Sequence, residues 1–120
     1  MFYYVIILYL KIILYLKMAV KLNCGRGGES LTDEEKDIVL RISEAHSEKI
    51  SRYIKNINSF DVHLKCHKKK SNVKRYEIAV RITGDGMIFE AETDEWDLKK
   101  AAVKAFDKIL SEIEHRVRKE

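Results

Sequence analysis

The side chains able to do chemistry fall into a histidine–cysteine set and a larger set of lysines and arginines. His63, Cys66 and His67 stand at a spacing that suggests a metal site, with Cys24 as a further thiol. A metal needs its ligands to converge on one point. Here Phe60, Val62, Leu64 and Cys66 alternate with Asp61, His63, Lys65 and His67, so on a strand the cysteine and the two histidines point to opposite faces. The pattern predicts a buried thiol, solvent-facing histidines and no metal. His46 falls on the apolar stripe of a helix, where a partly buried, hydrogen-bonded role is commonest. Gly25-Arg-Gly-Gly28 is too short and badly placed for a nucleotide fingerprint, and the sequence offers neither a nucleophile elbow nor a recognisable pair of separated carboxylates. The expectation is a chain that is not an enzyme, with no cofactor and no small-molecule substrate.

The cations are more telling. From Phe60 to Thr83 the chain carries seven basic residues against two acidic ones, and Lys65, Lys68, Lys69, Lys70, Lys74 and Arg75 concentrate in and around one loop. Such a cluster attracts phosphate through its field and through counterion release, without reading sequence. A second set, Lys100, Lys104 and Lys108, repeats every four residues and lines one side of a helix whose end carries Arg116, Arg118 and Lys119. Either set alone equally describes a solvated surface. Together they favour RNA. Asp85, Glu90, Glu92, Asp94, Glu95 and Asp97 form an intervening acidic stretch, expected first to serve the start of a helix and second to orient a partner.

The elements that must position these residues can be read from periodicity. Val20, Leu22 and Cys24 alternate with Lys21 and Asn23, a half-buried strand that the glycines after Cys24 end. Thr32-Asp-Glu-Glu35 reads as a capping box opening a long amphipathic helix with the stripe Val39, Ile42, His46, Ile50, Tyr53 and Ile57. Strands follow around residues 60–67, 76–82 and 87–92, the last two joined by the tight turn Gly84-Asp-Gly86. Thr93-Asp94 is the expected cap of a closing helix with the stripe Leu98, Ala101, Ala102, Ala105, Phe106, Ile109 and Ile113. The order is β-α-β-β-β-α. One apolar face per strand and one stripe per helix predict an α+β fold, a four-stranded sheet with two helices packed on one face, like a double-stranded-RNA-binding domain.

The chain of 120 residues suits one such domain. Its first part differs from the rest. Residues 1–17 are almost wholly apolar apart from Lys11 and Lys17, too interrupted for a spanning helix and without the flanks of a signal peptide. Three readings stay open: a misassigned start with Met18 as the true one, a membrane anchor, or a partner-binding segment. The division expected is therefore 1–17 as an extension and 18–120 as the domain. The net charge is +4, from 23 basic and 19 acidic residues. Without the extension it is 21 − 19 = +2, so local clusters matter more than the total. Two cysteines and no secretory signal predict reduced thiols in a cytoplasmic protein.

The segment Glu90 to Leu110 resembles the ribosome hibernation promoting factor / ribosome-associated inhibitor (HPF/RaiA) family. The likeness lies in Ala91-Glu92, Asp97-Leu98, Ala101-Ala102-Val103 and Asp107-Lys108-Ile109. Thr32-Asp33 at the helix start, and Val62-His-Leu-Lys65 before the basic loop and Tyr76-Glu-Ile-Ala-Val80, extend it over roughly residues 18–116. The resemblance implies a short, single-domain protein that binds small-subunit rRNA in the mRNA and tRNA channel and stalls or protects idle ribosomes in stress, by steric occupancy. The basic residues above would contact rRNA phosphates, by shape rather than base identity. Two other readings stay open: a double-stranded-RNA-binding domain, suggested by Lys99-Lys-Ala-Ala-Val-Lys104, and a membrane-tethered adaptor that uses residues 1–17.

Overall fold

A computed structural model describes residues 5–6, 20–25, 27–68 and 73–118, the last without its side chain. The extension 1–17, apart from Val5 and Ile6, lies outside the described residues, as do Lys69, Lys70 and Lys119. Four strands form one sheet in the order β1-β2-β3-β4: β1 Val20–Cys24, β2 Ile57–Lys68, β3 Lys74–Gly84 and β4 Met87–Glu95. Helix α1 spans Asp33–Ser51 and α2 spans Leu98–Arg118. The β2–β3–β4 meander is antiparallel, whereas β1 pairs parallel with β2 in the register Val20 to Phe60 and Leu22 to Val62. A parallel pair needs a crossover. Helix α1 provides it.

The capping box is complete: the Thr32 hydroxyl accepts from the Glu35 amide at 3.1 Å and the Glu35 carboxylate accepts from the Thr32 amide at 2.9 Å. Helix α1 ends at Ser51, so Tyr53 and Ile57 of the expected stripe fall beyond it, and Ile57 opens β2. Val39 and Ile50 are buried as expected, but Ser43 and Ser47 share that face. Small side chains there permit close packing. Their hydroxyls are satisfied within the helix, by the Val39 and Glu44 carbonyls, each at 2.7 Å.

The core lies between the helices and one face of the sheet. Phe60, Val62, Leu64 and Cys66 of β2, Ile78, Val80 and Ile82 of β3, and Phe89 of β4 are buried there. Against them packs the stripe expected for α2, Leu98 to Ile113, all of it buried. Phe60 and Phe106 meet with ring centroids 6.1 Å apart. The turn between β3 and β4 places Asp85 and Gly86 both at positive φ, 50° and 76°, as a tight hairpin of this hand requires. Asp85 also ties the start of β2 down, because its carboxylate accepts from the Lys55 and Asn56 amides.

One expected cap is corrected. Thr93 and Asp94 belong to β4, which runs on to Glu95. The cap of α2 is Asp97, whose carboxylate accepts from the Lys100 amide at 3.0 Å while its carbonyl accepts from the Ala101 amide. The Thr93 hydroxyl is buried and instead donates to the Ala101 carbonyl at 2.7 Å. Extending β4 by these residues lets Glu77 and Tyr76 of β3 find partners in Asp94 and Glu95.

Candidate nucleic-acid interface

Strand parity sorts the basic residues around the β2–β3 hairpin. Lys65 is exposed on the sheet face away from the helices, and Lys68 is exposed at the end of β2. Neither has a carboxylate partner among the described residues. Lys74 shares parity with buried Tyr76 and turns toward the helices. Its ammonium donates to the Ser30 carbonyl at 2.6 Å and to the Glu35 carboxylate at 2.9 Å, with 24% of its side chain exposed. The Tyr76 hydroxyl donates to the same carboxylate. Burial pushes the Glu35 carboxyl up, but hydrogen bonds from Tyr76 and the Thr32 amide and the Lys74 ammonium outweigh it, holding the group down at about 2. Burial and that carboxylate raise the Tyr76 phenol in turn. Lys74 thus ties the hairpin to the start of α1.

Arg75 points to the opposite face. Its guanidinium pairs with Asp94 and lies 5.0 Å from the centre of the Trp96 ring. On the other flank of this stretch of β4, Lys104 of α2 donates to the Glu95 carboxylate at 2.5 Å, which lowers that carboxyl. Lys108 reaches the Glu92 carbonyl at 3.3 Å, and Arg116 reaches the Ile88 carbonyl at 2.8 Å with its guanidinium 4.5 Å from the Phe89 ring centre. The helical strip therefore lies along the free edge of β4, where cationic side chains cover backbone groups that would otherwise invite another strand. Lys100 is exposed, with no carboxylate partner among the described residues. The Arg118 side chain lies outside the description.

One residue from each of the two clusters reaches the same short stretch of chain: Arg75 meets Asp94 and Trp96 from β3, and Lys104 meets Glu95 from α2. Most of the acidic stretch between them is engaged within the fold. Asp94 pairs with Arg75, Glu95 with Lys104, Glu90 with Arg81 at 3.4 Å, and Asp97 caps α2.

The histidine–cysteine set is divided by the sheet. Cys66 is buried under the helices, where desolvation raises its thiol, and His63 and His67 lie on the other face. Cys24 is an exposed free thiol. Among the described residues no group of histidine, cysteine and carboxylate side chains could hold a metal ion. His46 stacks on Phe106 with centroids 5.0 Å apart, and its Nδ1 donates to the Ile42 carbonyl at 2.9 Å. Among the described residues no helix is long and apolar enough to cross a membrane. Sequence reasoning passed over Trp96, half-exposed at the β4–α2 junction. An aromatic residue set among acids, outside both apolar patterns, was the signal.

A four-stranded mixed sheet with two helices on one face defines the class of the chain as α+β. Residues 30–120 match the family described as Sigma 54 modulation protein / S30EA ribosomal protein. The chain belongs to that family, which is the HPF/RaiA family and a ribosome-associated one, not a class of enzymes. Solved structures of the same fold include the N-terminal domain of Protein Y from Thermus thermophilus, with a TM-score of 0.54 and 16% identity over 79% of this chain and 93% of that one. A ribosomal subunit interface protein from Coxiella burnetii aligns with a TM-score of 0.53 and 11% identity, over 81% and 94% of the two chains. No curated protein sequence matches the chain closely.

Proposed function

We propose that this protein docks on small-subunit rRNA, in the channel that mRNA and tRNA occupy, and keeps the cytoplasmic ribosome idle by filling that space. The observation that carries the reading is the convergence of one cation from each basic cluster on residues 94–96, Arg75 arriving from the hairpin and Lys104 from α2. Lys100, Lys104, Lys108 and Arg116 extend the margin by about 24 Å along α2 at the usual helical rise, a length suited to tracking several phosphates. Lys65 and Lys68 lie exposed on β2 toward its hairpin end, and Lys69, Lys70, Arg118 and Lys119 are proposed as further phosphate contacts from their place in the sequence. Lys74 contributes by holding the hairpin in place. Family membership supplies the ribosome as target.

Sedimentation tests the reading. The protein should travel with isolated small subunits at low salt and leave them as salt rises, because neutralised phosphates release counterions. A generic RNA duplex should bind more weakly than the subunit. Failure to travel with subunits at low salt would sink the proposal, and equal affinity for the duplex would favour a double-stranded-RNA-binding role.

A further inference from the structure

The sheet face away from the helices carries a corner that charge alone does not explain. At the hairpin end, His67 of β2 stands opposite Arg75 of β3, and the next position across the sheet, just past the Tyr76–Glu95 pair, is Trp96. Three planar groups thus lie in a row: imidazole, guanidinium and indole. The row is open. Trp96 is 51% exposed and the His67 side chain 36%. The arginine, paired with Asp94, places its guanidinium carbon over the indole, 5.0 Å from the ring centre. The His67 Nε2 atom is buried without a hydrogen-bond partner among the described residues, with a Glu77 carboxylate oxygen 3.3 Å away. Lys65 sits one rung inward on the same face, exposed.

We infer that this corner is a stacking platform for unpaired nucleotides of RNA, with Trp96 and Arg75 receiving a base and Lys65 an adjacent phosphate. The reading rests on the RNA-docking proposal and adds a mode of contact to it. An indole that the fold leaves half in water, pinned by a guanidinium, offers a rigid π-face that any base can meet. The nearby acids are already engaged. Asp94 is paired with Arg75 and Glu95 with Lys104, Asp97 accepts from the Lys100 amide at the start of α2, and Glu77 lies 3.3 Å from His67. A protein partner would also use an exposed tryptophan, but the flanking arginine and lysine favour a polyanion with planar bases.

Trp96 is the sole tryptophan of the chain, so its emission reports this corner directly. Titration of the full-length protein with a single-stranded oligoadenylate should quench that emission, and inorganic polyphosphate of matched charge should bind with little quenching. Trp96→Ala should weaken oligoadenylate binding about tenfold, in line with a stacking contact, with polyphosphate binding unchanged and Trp96→Phe retaining most of the affinity. Thermal unfolding of both variants checks that the fold is kept. The platform is overturned if Trp96→Ala binds the oligonucleotide as tightly as the parent, or if polyphosphate quenches as strongly. A chain that travels with subunits while Trp96→Ala is silent loses the platform alone. A chain that binds neither subunits nor oligonucleotide loses both readings.

Discussion

Lys74 and Arg75 are neighbours in the chain and lie on opposite sides of the sheet. Lys74 faces the helices and joins Ser30, Glu35 and, through that carboxylate, Tyr76. Arg75 faces away and presents its guanidinium to Trp96 at the margin. The two faces teach that a run of like charges on a strand is divided in two by the pleat. One half turns into the fold and the other turns outward. The helical strip shows a different division: Lys104, Lys108 and Arg116 all lean on one strand edge, because a four-residue spacing keeps them on one side.

The sharpest test of this division is stability. Lys74→Ala removes a half-buried ammonium and leaves the Glu35 carboxylate short of a partner, so it should cost about 2 kcal/mol. In a domain of this size that lowers the melting temperature by roughly 10 °C. Lys68→Ala, on the same hairpin, should stay within about 0.5 kcal/mol of the parent. Equal losses in the two variants would erase the distinction.

The same cluster predicts an acid limb. The Glu35 carboxyl is held at about 2 in the folded chain against an ordinary 4.5. Its contribution is fully present above the ordinary value and is lost as pH falls through the interval between the two, because the unfolded chain takes up the proton first. With the side chain 16% exposed, the loss should amount to roughly 1–2 kcal/mol after allowance for solvent screening. Denaturant titrations across that interval should show the slope in the parent and a flatter one in Glu35→Gln. An unchanged slope would break the assignment.

Binding should follow the lysine run of residues 68–70. Replacing Lys68, Lys69 and Lys70 together with alanine should weaken subunit binding about tenfold at moderate salt, equivalent to about 1.4 kcal/mol, and reduce the steepness of the salt dependence. Stability should barely move. A variant that unfolds would instead make the loop structural.

Much of this was legible in the sequence, and the failures have physical causes. Alternation of apolar residues along β2 and β3 located the core face, and the Thr32–Glu35 box located the start of α1, because both signals are local. The end of α1 was overrun since Tyr53 and Ile57 keep the helical spacing although the chain has already turned. Ser43 and Ser47 were passed over because a buried serine satisfied by its own helix looks polar in sequence. The cap at Asp97 was displaced by residues equally able to cap, and only pairing with β3 shows that Thr93 and Asp94 are strand. Lys74 could have been separated from Arg75 by parity with Tyr76. Its partner Glu35, far off in sequence, could not.

The smallest effects belong to the α2 strip, and they grade by what each cation touches. Arg116 satisfies the Ile88 carbonyl and lies over the Phe89 ring, so Arg116→Ala should cost about 1 kcal/mol from the lost hydrogen bond and ring contact together. Lys104 makes an exposed pair with Glu95, its side chain half in water, and such pairs contribute little, which salt screens further. Lys104→Ala should therefore leave the melting temperature nearly unchanged while weakening the salt-sensitive part of subunit binding. If Lys104→Ala instead destabilised the fold as much as Arg116→Ala, the edge of β4 would depend on the whole strip. Its lysines would then guard the sheet first, and the proposed RNA contact would come second.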